Sequence, residues 1–78
     1  MNHAVNNQFI EKEVELLHQK IQDLEEKRAI KIAKVNALTS INKITKQDAF
    51  KQVESIEFKS SKEIKFLEKT IREYEQSA

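Results

Sequence analysis

Apolar residues recur at alternating steps of three and four along both halves of the chain, which is the spacing of one face of an α-helix. The first row contains Ile10, Val14, Leu17, Ile21, Leu24, Arg28, Ile32, Val35 and Leu38. The second row contains Phe50, Val53, Ile56, Ser60, Ile64, Leu67, Ile71 and Tyr74. The two rows predict two amphipathic helices.

The two rows match each other when the second half of the chain is folded back onto the first. Leu24 then meets Ile64, and every such pair of residue numbers sums to 88. The polar position of one row, Arg28, meets the polar position of the other, Ser60. Two successive steps of four also fall at this level in both rows. The match predicts an all-α protein, an antiparallel two-helix coiled-coil hairpin.

The segment between the two rows predicts a turn. A single helix running through it would place the polar residues Asn42, Thr45 and Gln52 in the apolar row. Asn42 is the residue best suited to the left-handed conformation that ends many helices. Thr45, with Asp48 three residues later, resembles a capping box. The alternative is one continuous helix in a parallel dimer.

These signals set the expected boundaries. We expect a disordered N-terminus at residues 1–6 and one hairpin at residues 7–78, with helix 1 at about 7–39, a turn at about 40–45 and helix 2 at about 46–76. The segment NKITKQDAF resembles the short Gly-x-Ile-Thr-x-x-Glu-Phe turns that join paired helices in various bacterial proteins, with Asn42 in place of glycine. This resemblance implies a turn between paired helices.

The composition narrows the possible chemistry. The 78 residues include no Cys, Gly or Pro, so disulfides, thiolate metal sites and glycine-rich phosphate loops are excluded. Glu15 and His18 form a single Glu-x-x-His outside the apolar row, whereas di-iron bundles use two such motifs that project inward. We therefore expect no enzyme activity, no cofactor and no metal site. The absence of a membrane-length apolar stretch or a secretory signal predicts a cytoplasmic protein with no membrane partner.

Some large apolar residues lie outside both rows. The residues that we predict to bind a partner are Phe9, Leu16, Ile30, Phe58 and Phe66. Apolar side chains left outside a small core usually mark an interface. We expect a protein partner, a second copy of the chain, or both. A second copy would complete a four-helix bundle and enlarge the small core.

Charge is unevenly distributed along the chain. Residues 27–53 carry seven basic side chains against one acidic side chain, a net charge of +6, whereas residues 11–26 carry a net charge of −4. The basic tip predicted from this pattern consists of Lys27, Lys31, Lys34, Lys43, Lys46 and Lys51. Our leading hypothesis is a non-enzymatic interaction module: an adaptor, inhibitor or chaperone. The alternatives are a nucleic-acid-binding hairpin that uses the basic tip and a structural coiled-coil spacer.

Overall fold

The protein consists of two long α-helices that pack against each other. A computed structural model describes residues 3–77, with side chains described from residue 8 onward. Helix α1 spans His3–Ser40 and helix α2 spans Lys46–Ser77, and the two are in contact as an all-helical hairpin. The predicted two-helix hairpin is confirmed, and the single continuous helix is excluded. Within the segment predicted as disordered, the backbone is helical from His3 onward, and residues 1 and 2 lie outside the described range.

Asn42 ends α1 in the predicted manner. Its φ angle is 60°, in the left-handed region that few residues other than glycine adopt readily. The Lys43 amide donates to the Leu38 carbonyl at 2.9 Å, and the Asn42 amide donates to the Thr39 carbonyl at 3.1 Å. This pair of hydrogen bonds is a Schellman motif, which satisfies carbonyl groups that the helix end would otherwise leave unpaired.

Thr45 caps the start of α2. The Asp48 amide donates to Thr45 Oγ1 at 3.1 Å, and the Ala49 amide donates to the Thr45 carbonyl at 2.9 Å. The side chain and the carbonyl of one residue therefore accept from two of the first amides of the helix. The cap fixes the first residue of α2 at Lys46, where the sequence predicted it.

The two predicted rows pack against each other along a seam between the helices. This seam follows the predicted register over most of its length. Every predicted seam position from Ile10 to Val35 and from Val53 to Tyr74 is buried or half-buried. The predicted pair nearest the turn, Leu38 with Phe50, is wrong, because these side chains are 39% and 65% exposed. The half-buried Thr39 and the buried Ala49 take their places.

Spacing and size explain this correction. The step from Val35 to Thr39 is four, which continues the alternation, and the numbers 39 and 49 also sum to 88. Ala49 is small enough to be buried between the helices beside the short turn. The Thr39 hydroxyl donates to the Val35 carbonyl at 2.9 Å, so its burial leaves no unpaired polar group.

The level of the seam at which Arg28 and Ser60 meet is called the polar level. The buried residues form two clusters, one on each side of it. Leu17 and Ile71 lie toward the free ends of the hairpin, and Val35 and Ala49 lie toward the turn. Between the clusters the seam is only half-buried. There Arg28 and Ser60 line one cavity of about 180 Å³, which confirms that the two polar positions meet. Arg28 pairs with Glu25 of its own helix at 4.0 Å.

The hairpin is elongated rather than compact. Its Cα atoms extend over 64 × 15 × 7 Å, with a radius of gyration of 18.0 Å. A compact domain of this length has a radius of gyration of about 11.5 Å. Two helices therefore leave most side chains within reach of solvent or of another molecule.

Candidate interaction surface

The five residues predicted to contact a partner are all exposed. Phe9, Leu16, Ile30, Phe58 and Phe66 have exposed fractions between 55% and 70%. Exposure is the property that a contact residue requires. Their role in binding stays a prediction.

These five residues do not share one face. Successive residues of an α-helix are rotated by about 100° around its axis. Phe9, Leu16 and Phe66 each immediately precede a seam residue and therefore lie on one flank of the hairpin. Ile30 and Phe58 each follow a seam residue by two positions, about 200° around the helix, so they point away from the seam. The five residues therefore do not form one continuous surface.

The flank that carries Phe66 contains an open groove between the helices. The groove has a volume of about 320 Å³, and its walls include Lys20, Asp23 and Lys27 of α1 opposite Glu63 and Phe66 of α2. The cavity at the polar level continues it toward the turn. In both helices, therefore, the residues that immediately precede a seam position lie on the same side of the molecule. We call this side the front face.

The front face combines large apolar side chains with charges of both signs. Its apolar members are Phe9, Leu16, Leu38 and Phe66. The sequence pattern predicted Leu38 in the seam, whereas its position directly before Thr39 places it on the front face. The charged members are Glu13, Lys20, Asp23, Lys27, Lys31, Lys34, Asp48, Lys59, Glu63 and Glu73.

The charges of the front face separate into two halves along the hairpin. Because seam pairs sum to 88, each residue of α2 lies beside a known residue of α1, and the middle of the packed region lies near residues 26 and 27. On the turn side of this level the face has four lysines and one acid, a net charge of +3. On the free-end side it has one lysine and four acids, a net charge of −3.

The opposite flank, which we call the back face, has a different character. It comprises the residues that immediately follow a seam position. Seven glutamates, one lysine and one arginine give it a net charge of −5, and acids predominate in both halves. Phe50 is its only large apolar side chain within the described residues. The front face is therefore the flank better suited to bury apolar surface against another molecule.

The predicted basic tip divides between two locations. Lys27, Lys31 and Lys34 lie on the front face, and all three are exposed. Lys43 and Lys46 lie at the turn or next to it. Lys51, two residues beyond Ala49 of the seam, points outward near the start of α2. Within the described side chains none of these six lysines forms an ion pair, since the pair between Arg28 and Glu25 is the one observed there.

The described residues show no arrangement for metal chemistry. Glu15 and His18 are both exposed, and no three His, Asp or Glu side chains of the described chain lie close enough together to bind a metal ion. Neither helix of residues 3–77 has an apolar stretch that could cross a bilayer. The prediction of no enzyme activity remains a prediction.

The fold and its surface define a class of protein, a two-helix antiparallel hairpin with one mixed apolar and charged flank. Comparisons of the chain with protein-family models, with curated proteins and with solved structures found no match.

Proposed function

We propose that the protein is a small non-enzymatic protein–protein interaction module, an adaptor, inhibitor or chaperone, which presents helix faces to a partner. The observation that carries this proposal is the exposure of Phe9, Leu16 and Phe66 on the front face, where Phe66 lines the groove. Buried against another helical surface, these side chains would stabilise a complex through the hydrophobic effect. A second copy of the chain is one such surface, and its binding would complete a four-helix bundle.

The accessible surface supports a chain that is completed by association. The surface area is 6504 Å², whereas a compact monomer of 9.2 kDa exposes about 4,900 Å². The excess is roughly 1,600 Å². A standard protein–protein interface takes about 800 Å² from each partner. The hairpin can therefore contribute an interface of ordinary size from one flank and still expose the other.

The experiment compares glutamate substitutions on the two flanks. The double variant Leu16→Glu and Phe66→Glu places two charges on the front face. Phe50→Glu places one charge on the back face, at a side chain of similar exposure (65%). Circular dichroism first establishes that both variants remain helical. Affinity capture from the native host, quantified by mass spectrometry, then compares the proteins retained by each variant with those retained by the wild type.

We expect the front-face variant to lose the specific binding and the back-face variant to keep it. The reason is that a glutamate cannot be buried in an apolar contact without a large desolvation cost. If both folded variants retain every partner and the same mass in solution, the front face is not the interaction surface. A wild-type chain with no partner and no self-association would instead favour the structural spacer.

A nucleic-acid-binding hairpin is the second candidate. It is favoured by the six exposed lysines of the predicted tip, which form no ion pair with another described side chain. Cationic side chains that contact phosphates release counterions, so the affinity must fall steeply as salt is raised. Fluorescence anisotropy with labelled duplex and single-stranded oligonucleotides at several salt concentrations tests this. Binding that is insensitive to salt would reject it.

A further inference from the structure

We propose that the front face binds the front face of a second copy in antiparallel orientation, with the two turns at opposite ends of a four-helix bundle. This inference rests on the proposed function and names the partner and its orientation. Two observations support it: the opposite charges of the two halves of the front face, and the area that this face can bury.

Charge selects the orientation. Two copies placed with both turns at the same end would bring +3 against +3 and −3 against −3. Reversing one copy brings each acidic half over the basic half of the other. At physiological ionic strength exposed charges interact over about 8 Å, so contacts across an interface are affected while those on remote faces are not. The back face, with a net charge of −5, repels its counterpart in either orientation.

The register follows from a two-fold axis that crosses the front face at the level of Lys27. Residue numbers of facing α1 residues then sum to 54, which places Asp23 opposite Lys31 of the second copy. It also places Leu16 opposite Leu38 of the second copy, so two exposed apolar side chains cover each other. Each contact occurs twice by symmetry.

The facing α2 helices make corresponding contacts. In this register Glu63 lies opposite Lys59 of the second copy. Phe66 lies opposite the cavity at the polar level of the second copy, where Ser55 and Lys59 form part of the wall. The cavity thus receives an aromatic side chain that the isolated hairpin leaves 68% exposed. Two contacts in this register join like charges: Lys27 meets its own counterpart at the axis, with Glu63 beside it in the groove, and Lys20 lies opposite Lys34 of the second copy.

The area of the face is appropriate for a stable dimer. Helix α2 has 32 residues, which corresponds to about 48 Å of packed length. With a width of 15 Å, the projected area is about 700 Å². This is close to the 800 Å² or so that each partner of a standard interface contributes.

The first test reverses charge on one flank at a time. Asp23→Lys with Glu63→Lys changes the acidic half of the front face, and Glu54→Lys with Glu57→Lys makes the same change of net charge on the back face. Sedimentation equilibrium gives the dimer dissociation constant of each. We expect the front-face variant to dimerise about tenfold or more weakly, because like charges then meet across the interface. The back-face variant should dimerise at least as well as the wild type. A wild type that is monomeric at all concentrations overturns the proposal, as does equal weakening by both variants.

The second test reads the orientation directly, using the absence of native cysteine. Lys27→Cys should form a disulfide with its own counterpart, because both lie at the two-fold axis. Glu57→Cys, at a similar level on the back face, should not. A dimer in which Lys27→Cys fails to cross-link overturns the antiparallel register. If the chain is monomeric yet loses a host partner upon mutation of Leu16 and Phe66, the interaction module stands and the second copy is rejected.

Discussion

Truncation of one buried and one exposed side chain can distinguish residues that stabilise the hairpin from residues that are available for binding. The quantity compared is the loss of free energy of unfolding. Ile71 is 5% exposed in the seam, and Phe58 is 70% exposed on the outer side of α2. Both lie on one helix, both are large and apolar, and both can be changed to alanine. Because it is buried, the smaller side chain should matter far more to folding than the larger one.

The expected magnitudes follow from burial. Ile71→Ala removes three carbons from a buried site, and each contributes about 0.8 kcal/mol, so the transfer term is about 2.4 kcal/mol. The seam is narrow and open to water at its flanks, which limits the further cost of a cavity. The total loss should therefore fall at the lower end of the range of about 2–5 kcal/mol that is found for such truncations. Phe58→Ala should cost less than about 0.5 kcal/mol, as is usual for exposed positions.

Urea unfolding followed by circular dichroism provides the assay. It is run at several protein concentrations, because dimerisation adds to the apparent stability by mass action. The comparison is made by extrapolating to the dilute limit. Equal losses for the two variants, or a larger loss for Phe58→Ala, would refute the assignment of Ile71 to the core and of Phe58 to the surface.

Three further predictions concern the turn and the polar level. Asn42→Gly should raise the free energy of unfolding and Asn42→Ala should lower it, by up to about 1 kcal/mol in each case. The reason is that the φ of 60° suits glycine and disfavours a Cβ atom. Changes of the opposite sign in thermal unfolding would contradict the Schellman turn. Thr45→Ala should cost about 1 kcal/mol through loss of the cap, whereas Thr70→Ala, whose hydroxyl bonds a mid-helix carbonyl, should cost little in the same thermal assay. Replacing both Arg28 and Ser60 by leucine should stabilise the hairpin by about 2 kcal/mol in urea unfolding, because apolar carbon fills the half-buried level. Destabilisation would show that the polar pair contributes to stability as well as fixing the register.

The sequence allowed the fold to be predicted where local chemistry and long-range pattern agreed. Asn42 and Thr45 each have one strong conformational preference, and both adopt it. The register depends on many seam positions at once, so it tolerates a mistake at one of them. The mistake at Leu38 arose because hydrophobicity was preferred to spacing. After two steps of four the seam had rotated, and Thr39 rather than Leu38 then faced α2.

The surface was less predictable because a flank depends on rotation around the helix axis. Leu16 and Ile30 are fourteen residues apart, which suggests a shared face if seven residues always restore the same orientation. The seam advances by eleven residues between Ile21 and Ile32, however, and such an insertion shifts the phase of every outer position. The net charges of residues 11–26 and 27–53 also ignored rotation around the helix axis. They therefore combined the front face, whose charges balance, with the acidic back face.

The lysines connect the two candidate functions, because the same side chains cannot serve both at once. In the antiparallel dimer the second copy covers the front face, which carries Lys27, Lys31 and Lys34 of the predicted tip. Lys43, Lys46 and Lys51 are left free near each turn. Three phosphate contacts to duplex DNA correspond to a slope of log affinity against log salt of about −2.7. Engagement of all six predicted lysines corresponds to about −5.4 and requires the front faces to separate. If two chains bind the DNA and the slope of log affinity against log salt is near about −2.7, the result is compatible with the dimer. A steep slope with one chain bound would show that nucleic acid, rather than a second copy, covers the front face.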